Sequence, residues 1–206
     1  MIRIINFIHH NMKTNRRNFI KVTGVAGVGM MASGMTACNE IKEQMPFAET
    51  FEAVKLTHKQ HFNMCGYAAP KIETVRIGII GIGRRGIEAV NRLKLIEGAE
   101  IRALCDLRTE CVEAGLKALT DSGLPAARTY GGTEDAWKEM CSGNDLDLIY
   151  IVTPWNLHTP MSVFAMTNGK HVAVEVPAAL TLEECWQLVE TSERTMKHCM
   201  MLENCC

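Results

Sequence analysis

The chain has 206 residues, of which 47% are hydrophobic and 22% are charged, so it has room for one medium-sized domain with a core, alone or with a leader. Its formal net charge of -1 excludes a global electrostatic attraction to nucleic acid or to acidic membranes. No apolar run reaches the length of about 18 residues that a permanent bilayer span requires.

The first predicted element is a leader over residues 1–38. The arginine pair Arg16-Arg17 is followed by Phe19 and Lys21, and then by a mildly apolar run rich in glycine and alanine. This order is typical of a twin-arginine export signal, whose cargo crosses the membrane folded. The run ends in small residues before Cys38, which resembles the site at which a cleaved lipoprotein receives its lipid. The alternative is a chance arginine pair in an irregular N-terminus.

We therefore expect export by the twin-arginine route to the periplasm or the outer face of a bacterial membrane, with Cys38 as the residue that would carry a lipid anchor. Translation could start at Met1 or at Met12, because the residues before Met12 add nothing to the signal. Residues 39–73 show no strong period and are predicted to be a tether. The remaining domain is predicted to span residues 74–206.

The cysteines show no metal-binding spacing. There are nine of them, and none forms a Cys-x-x-Cys pair, so neither a zinc site nor a redox dithiol is expected. Apart from Cys38, most are predicted to be small buried apolar side chains. They stand at positions 38, 65, 105, 111, 141, 185, 199, 205 and 206.

A glycine-rich loop follows the first predicted strand, residues 75–80. The loop reads Gly81-Ile82-Gly83-Arg84-Arg85-Gly86, and an apolar period over residues 87–96 predicts a helix after it. Strand, Gly-x-Gly-x-x-Gly and helix together are the dinucleotide-binding pattern. Gly81 makes the tight turn, Gly83 lets the backbone approach a pyrophosphate, and Gly86 lets the helix pack on the strand. The N–H groups at the start of the helix would bind the phosphates.

A second predicted strand, residues 100–105, ends in Asp106, twenty residues after Gly86. A carboxylate at this position accepts hydrogen bonds from the ribose hydroxyls and repels a 2′-phosphate, which favours NAD over NADP. Arg108 weakens that preference, because an arginine can accommodate a 2′-phosphate. The alternative role for Asp106 is to cap the next helix.

The same alternation continues to the end of the chain. It predicts four further helices: one over 109–119, one that begins at Glu134 with Thr133 as its cap, one that follows His158 and ends at about residue 168, and one over 182–197. The further predicted strands are 127–130, 146–152, 171–174 and 199–202. Short links between them imply an α/β fold with a doubly wound parallel sheet of the Rossmann type. Ligands bind at the carboxyl ends of such strands. The segments expected there are residues 81–86, Asp106, 154–158, 175–176 and Asn204.

Three motifs together resemble one family. Together with Asp106, the glycine-rich loop, Thr153-Pro154-Trp155-Asn156-Leu157-His158 and Glu175-Val176-Pro177 look like the glucose-fructose oxidoreductase/inositol dehydrogenase (Gfo/Idh/MocA) family over residues 75–206. Four features resemble one branch, glycoside hydrolase family 109: the double arginine of the loop, the Trp-Asn-Leu-His segment, the Glu-Val-Pro-Ala-Ala turn and the Glu-Asn-Cys-Cys end. Its members are NAD-dependent α-N-acetylgalactosaminidases.

One departure from the wider family is informative. Most dehydrogenases of the family carry lysine where this chain has Val176, and that lysine assists proton movement near the nicotinamide. Valine cannot donate or accept a proton. The change favours the glycosidase branch over a sugar or polyol dehydrogenase of the same fold, which remains the alternative.

The resemblance implies a set of NAD contacts. Arg84 and Arg85 would offer charge or backbone amides to the pyrophosphate. Trp155 would offer an apolar face, and Asn156 and His158 would offer hydrogen bonds near the nicotinamide ribose. For His158, a role at the start of the next helix is the alternative. The full set of expected cofactor-binding residues is Gly81, Gly83, Arg84, Arg85, Gly86, Asp106, Trp155, Asn156, Leu157, His158, Glu175, Val176 and Asn204.

The resemblance also implies a reaction. Tightly held NAD would oxidise the sugar 3-hydroxyl, after which elimination, water addition and re-reduction hydrolyse a terminal α-N-acetylgalactosamine without a redox partner. Family members carry a second domain that contacts the sugar, and we expect it to be absent from this chain. The catalytic residues are therefore unknown and expected beyond Cys206, and the chain alone is expected to be inactive. A non-catalytic dinucleotide-binding fragment is the third alternative.

Overall fold

The computed structural model describes residues 58 and 60–203, so the predicted leader, most of the predicted tether and Asn204 lie outside it. Strands and helices alternate along the described chain as predicted. The elements in order are β1 (Val75–Ile80), α1 (Arg84–Leu93), β2 (Ala99–Asp106), α2 (Thr109–Thr120), β3 (Arg128–Gly131), α3 (Ala136–Ser142), β4 (Leu148–Ile151), a 3₁₀ turn (Trp155–Leu157), α4 (His158–Thr167), β5 (His171–Glu175), α5 (Leu182–Thr195) and β6 (Cys199–Leu202).

The strands form one sheet in the order β3-β2-β1-β4-β5-β6, and each neighbouring pair is parallel. This is a doubly wound Rossmann arrangement, which confirms the predicted fold class. The strand order reverses between β1 and β4. A crevice therefore opens at the carboxyl ends of these two strands, because the loops that follow them leave the sheet on opposite sides.

The sheet separates two hydrophobic cores. Ile79 of β1 packs with Val90 of α1 on one side, in the core that α2 also joins. The neighbouring Ile80 belongs to the other core, together with Met140 of α3 and Met166 of α4. Both faces of the central strands are therefore covered. This explains why these strands are nearly continuous runs of apolar residues.

The first helix is shorter than its apolar period predicted. It ends at Leu93, and Leu95 and Ile96 lie outside it with 80% and 53% of their surface exposed. The chain turns here instead, since the N–H of Leu95 binds the carbonyl of Arg92 and Gly98 has a φ of +76°. A reversal is needed at this point because β2 must run parallel to β1.

Two helix ends also differ from the prediction. Thr133 does not cap a helix: its carbonyl accepts the N–H of Ala136 in a turn, and α3 begins only at Ala136. At α5, the hydroxyl of Thr181 accepts the N–H of Glu184 and the Glu184 carboxylate accepts the N–H of Thr181, a complete capping box. That helix ends at Thr195, two residues earlier than predicted, because Met196 adopts a left-handed conformation with φ 53°.

Strand β4 is also shorter than predicted, and an ion pair ties its start to β1. Asp147 precedes the strand and binds the guanidinium of Arg76 at 2.6 and 2.8 Å, while it also accepts the backbone N–H of Arg76 at 2.9 Å. These bonds to Arg76 hold the pKa of the Asp147 carboxyl below its ordinary value. The amino ends of the two central strands are thereby fixed, opposite the crevice.

Part of the predicted tether packs against α5. The imidazole of His58 lies 2.5 Å from the Glu190 carboxylate and 3.4 Å from that of Glu183, and it stacks on Trp186 with ring centres 4.9 Å apart. The bond to Glu190 raises the pKa of His58 above its ordinary value. Residues before β1 therefore contribute to the domain surface.

The described cysteines only partly follow the prediction of buried side chains. Cys105 and Cys141 are buried, and burial raises the pKa of each thiol to about 12. Cys111 and Cys199 are half-buried, whereas Cys65 and Cys185 are exposed, which corrects the prediction for those two. Over residues 58 and 60–203, no group of three or more histidine, cysteine or acidic side chains is placed to hold a metal ion. No helix in this range has the length and apolar character to cross a bilayer.

Candidate cofactor-binding site

The glycine-rich loop connects β1 to α1 at the crevice. Gly81 has a φ of +91°, and a Cβ on it would lie 2.4 Å from the carbonyl oxygen of Val152. A Cβ on Gly86 would lie 1.9 Å from the carbonyl oxygen of Gly81. Both positions therefore require glycine for reasons internal to the protein. The close approach of Gly86 brings the start of α1 against the end of β1.

Gly83 differs from the other two glycines. Its φ is -66°, which any residue adopts, and a Cβ on it would meet only the guanidinium tip of Arg108, at 3.3 Å. The fold itself does not demand glycine here. Only this tip of a long side chain limits the space above the backbone of Gly83, and close access to the backbone is what a pyrophosphate requires.

The start of α1 presents free hydrogen-bond donors to this space. Within the described chain, no acceptor binds the N–H groups of Arg84, Arg85 and Gly86, no side chain caps the helix, and its first turn contains no acidic residue. Such a helix start carries a positive partial charge and binds anions. The loop therefore fits the pyrophosphate of NAD.

Asp106 lies at the end of β2, next to the loop. One carboxylate oxygen accepts the N–H of Ile82 at 2.7 Å, and the other accepts the N–H of Arg108 at 2.9 Å. Only 10% of the side chain is exposed. A carboxylate oxygen can accept more than one hydrogen bond, so the oxygens keep capacity for ribose hydroxyls. Asp106 does not bind any N–H within α2; on the side of that helix its carboxylate accepts only the N–H of Arg108, the residue directly before the helix.

Glu175 ends β5 as a buried carboxylate with two partners. It binds the guanidinium of Arg85 at 3.2 and 3.4 Å and accepts the hydroxyl of Tyr150 at 3.1 Å. Burial, and then the neighbouring Glu175 charge, raise the pKa of Tyr150 to about 12, so this phenol stays a donor. The bond to Glu175 raises the pKa of Arg85. This network joins α1, β4 and β5 beneath the crevice.

The network favours one of the two contacts expected of Arg85, the backbone amide rather than the charged side chain. The Arg85 side chain is directed at Glu175, so only its backbone N–H faces the predicted pyrophosphate position; Arg84 is exposed. Tyr150 was not among the predicted site residues. The only sequence signal for Tyr150 is its hydroxyl group in an otherwise aliphatic strand. In the sheet, Tyr150 pairs with Ala173, two residues before Glu175.

The segment after β4 forms the other wall of the crevice. Trp155, Asn156 and Leu157 make a 3₁₀ turn, with Trp155 61% exposed and Asn156 also exposed. An exposed indole at the end of a central strand is available to cover a bound ring. The predicted NAD contacts of these three residues remain predictions, as does that of Asn204, outside the described residues.

His158 is placed differently from its neighbours. The side chain is buried, and its two ring nitrogens lie 2.7 Å from the carbonyl oxygen of Pro177 and 2.8 Å from that of Thr153. No ring nitrogen is left for the expected hydrogen bond to the cofactor. Instead, the imidazole connects the loop after β4 to the turn after β5. That turn begins with Val176, which is half-buried beside Glu175.

Substitutions at two of the loop glycines should have separable effects. We expect Gly86→Ala to lower the free energy of unfolding by about 1–3 kcal/mol, because the new methyl group collides with backbone. Gly83→Ala should change it by less than about 1 kcal/mol but weaken NAD binding by about tenfold or more, since the methyl occupies space for the pyrophosphate. Urea denaturation and calorimetric titration measure the two quantities. Wild-type affinity in Gly83→Ala would contradict this placement of the pyrophosphate.

Comparison with known proteins agrees with a dinucleotide-binding site in this crevice. The model of an oxidoreductase family with an NAD-binding Rossmann fold (Gfo/Idh/MocA) matches residues 75–203. A glycosyl hydrolase family 109 protein of Porphyromonas gingivalis is 58% identical over 136 residues, which are 66% of this chain and 29% of that protein. An alpha-N-acetylgalactosaminidase of Bacteroides fragilis is 50% identical over 144 residues, 70% of this chain and 34% of that protein. The chain thus spans about a third of the length of such relatives.

Solved structures show the same fold. The myo-inositol 2-dehydrogenase of Lactobacillus plantarum is 27% identical with a TM-score of 0.52, over 63% of this chain and 36% of that one. The WlbA dehydrogenase of Chromobacterium violaceum, solved in complex with NADH and UDP-GlcNAcA, is 25% identical with a TM-score of 0.56, over 66% of this chain and 37% of that one. Since the family match includes all six strands and the glycine-rich loop, the chain belongs to the Gfo/Idh/MocA oxidoreductase family, with NAD as its cofactor.

Proposed function

We propose that the chain is the NAD-binding part of a glycosidase that hydrolyses terminal α-N-acetylgalactosamine residues. The observation that carries the proposal is Val176, the residue directly after β5 and next to Glu175. Most dehydrogenases of the family carry a lysine at this position of the crevice. The side chain of Val176 cannot transfer a proton. The names of relatives that are 50–58% identical support the same activity.

The residues of this chain would hold and orient the cofactor. The N–H groups at the start of α1 would bind the pyrophosphate, and Asp106 would accept hydrogen bonds from the ribose hydroxyls. Trp155 would offer an apolar face on the other side of the crevice. Arg85 and Tyr150 fix Glu175 beneath it. When bound, NAD supplies a reversible hydride acceptor for oxidation of the sugar at carbon 3 and its later reduction, on either side of elimination and water addition.

The first outcome to measure is hydrolysis without added cofactor. We expect the protein expressed from its complete reading frame to release p-nitrophenol from p-nitrophenyl α-N-acetylgalactosaminide. No cofactor has to be added, because each turnover returns the bound NAD to its oxidised form. The matched control substrate is the β-anomer, which should not be cleaved. The Gly83→Ala variant should lose activity and regain part of it with excess NAD.

A different product would identify the alternative function. A sugar or polyol dehydrogenase would accumulate NADH, seen at 340 nm, with free sugar and without cleaving any glycoside. Bound NAD without either reaction would indicate a non-catalytic dinucleotide-binding protein. Each of these results contradicts the glycosidase proposal, while the cofactor site itself would stand.

We further propose that the protein is exported folded, with its NAD already bound, and is lipid-anchored through Cys38. The support is the order of Arg16-Arg17, the apolar run and Cys38 in the sequence, all outside the described residues. Net hydrolysis needs no supply of fresh cofactor outside the cytoplasm. Replacing both arginines with lysine should retain the protein in the cytoplasm, as followed by immunoblots of cell fractions. Export of the variant at the wild-type level would contradict this route.

A further inference from the structure

A strap made of His58 and residues 60–67 runs along α5 before the chain enters β1. The strap begins beside Glu183, near the start of that helix, and the ring of Tyr67 lies 5.3 Å from the ring of His198, beyond the end of the helix. Because α5 follows β5, the helix starts at the carboxyl edge of the sheet and ends at the opposite edge. The strap therefore leads from the crevice side of the domain to the amino ends of the strands.

The middle of the strap lies over an apolar groove between α5 and β6. Met64 lines a cavity of about 210 Å³ there, and Leu188 and Met201 are among the other lining residues. The backbone N–H of His61 donates to the buried carboxylate of Glu193 at 2.9 Å. A cavity of this size means that the apolar contacts between strap and helix are incomplete. The attachment of the strap therefore depends on its polar contacts.

The start of the strap is held by His58, whose two ring nitrogens face different carboxylates. Nδ1 lies 2.5 Å from Glu190, Nε2 lies 3.4 Å from Glu183, and the ring stacks on Trp186. A neutral imidazole carries a single N–H, so one nitrogen would direct a lone pair at a carboxylate oxygen. The protonated ring presents an N–H to each carboxylate and a cation to the indole face. The arrangement therefore fits the imidazolium form.

We propose that His58 is a pH-sensitive clasp, which holds the strap on α5 while its imidazole is protonated and releases the strap when the proton is lost. In the closed state, the chain before β1 is attached to α5 on the crevice side of the domain. In the open state, it is attached only from about Tyr67 onward, at the opposite edge, and the groove under Met64 is uncovered. This device lies away from the cofactor site and goes beyond the proposed function.

The direction of the pH effect follows from the groups around the ring. The bond to Glu190 raises the pKa of His58 above its ordinary value, although burial opposes it, and Glu183 adds to the increase. The stabilisation of the closed strap is therefore complete below the ordinary pKa of histidine and is lost as the pH rises through the raised value. At the far end of the strap, burial lowers the pKa of His171, which accepts the N–H of His198. His171 therefore stays neutral where His58 titrates.

The test follows hydrogen exchange of the strap amides in the full chain at about pH 6 and about pH 9, with labelling times scaled to the intrinsic rate at each pH. After this correction, wild-type strap amides should exchange about threefold or more faster at the higher pH, because closing loses an ion pair near the surface. His58→Gln should exchange at the faster rate at both pH values, and Glu190→Gln should reduce the difference. His61→Gln is the matched control: it removes a histidine side chain from the same strap but keeps the N–H that binds Glu193, so it should behave as wild type.

Three results would overturn the inference. Equal corrected exchange at both pH values in the wild type would show that the strap does not open. A pH difference that survives in His58→Gln, or that disappears in His61→Gln, would assign the titration to another group. Faster exchange in β1 as well as in the strap would identify unfolding of the domain instead of a local release. All of these results are independent of NAD binding, so they leave the proposed function standing.

Discussion

The first turn of α1 lies directly against the carbonyl oxygen of Gly81, and the site depends on that contact. It is possible only because residue 86 lacks a side chain, since any Cβ there would overlap the oxygen. The contact directs the open N–H groups of Arg84, Arg85 and Gly86 into the crevice. If the helix were shifted by the width of a methyl group, these N–H donors would move away from the end of β1. The site would then lose its fit to a dinucleotide.

The two carboxylates of the site are each paired with an arginine of the same chain. Asp106 contacts Arg108, and Glu175 contacts Arg85. The negative charges of both carboxylates are therefore neutralised by arginines of the protein itself. The start of α1, in contrast, carries a positive partial charge that no side chain compensates. The two pairs differ in burial: the Glu175 carboxylate is buried and also accepts the hydroxyl of Tyr150, whereas the Arg108 side chain is 59% exposed. The Glu175 pair therefore joins α1 to the sheet, whereas the Arg108 pair lies at the surface of the site.

The sequence predicted the fold well because its signals were local. Aliphatic strands, the glycine spacing and the alternation of elements gave the parallel sheet and the correct position of each strand. Errors arose where a local pattern met a long-range requirement. The apolar period continued to Ile96, but the chain had to reverse for β2 to run parallel to β1, so α1 ended at Leu93. Thr133 had the right side chain for a cap but lies in a turn.

The candidate site shows the same division. The loop glycines, Asp106 and Glu175 could be found because each follows a strand, and parallel strands bring their carboxyl ends together. The partners of these residues could not be found, since they depend on three-dimensional neighbours. Tyr150 reaches Glu175 from the adjacent strand, and His158 turns inward to two carbonyl groups rather than toward the crevice. Side-chain direction at a strand end is set by packing, which spacing alone does not reveal.

The most direct test of the account is to locate NAD on the protein by following backbone amide signals in nuclear magnetic resonance spectra during a titration. The largest shifts are expected at Gly83, Arg84, Arg85 and Gly86, where free N–H groups receive the pyrophosphate, with smaller shifts at Ile82 and Arg108 as the ribose reaches Asp106. Amides on β6 and the outer face of α5 should stay unchanged. Shifts confined to other parts of the surface, or no shifts at saturating NAD, would contradict the central claim that the start of α1 forms the cofactor site.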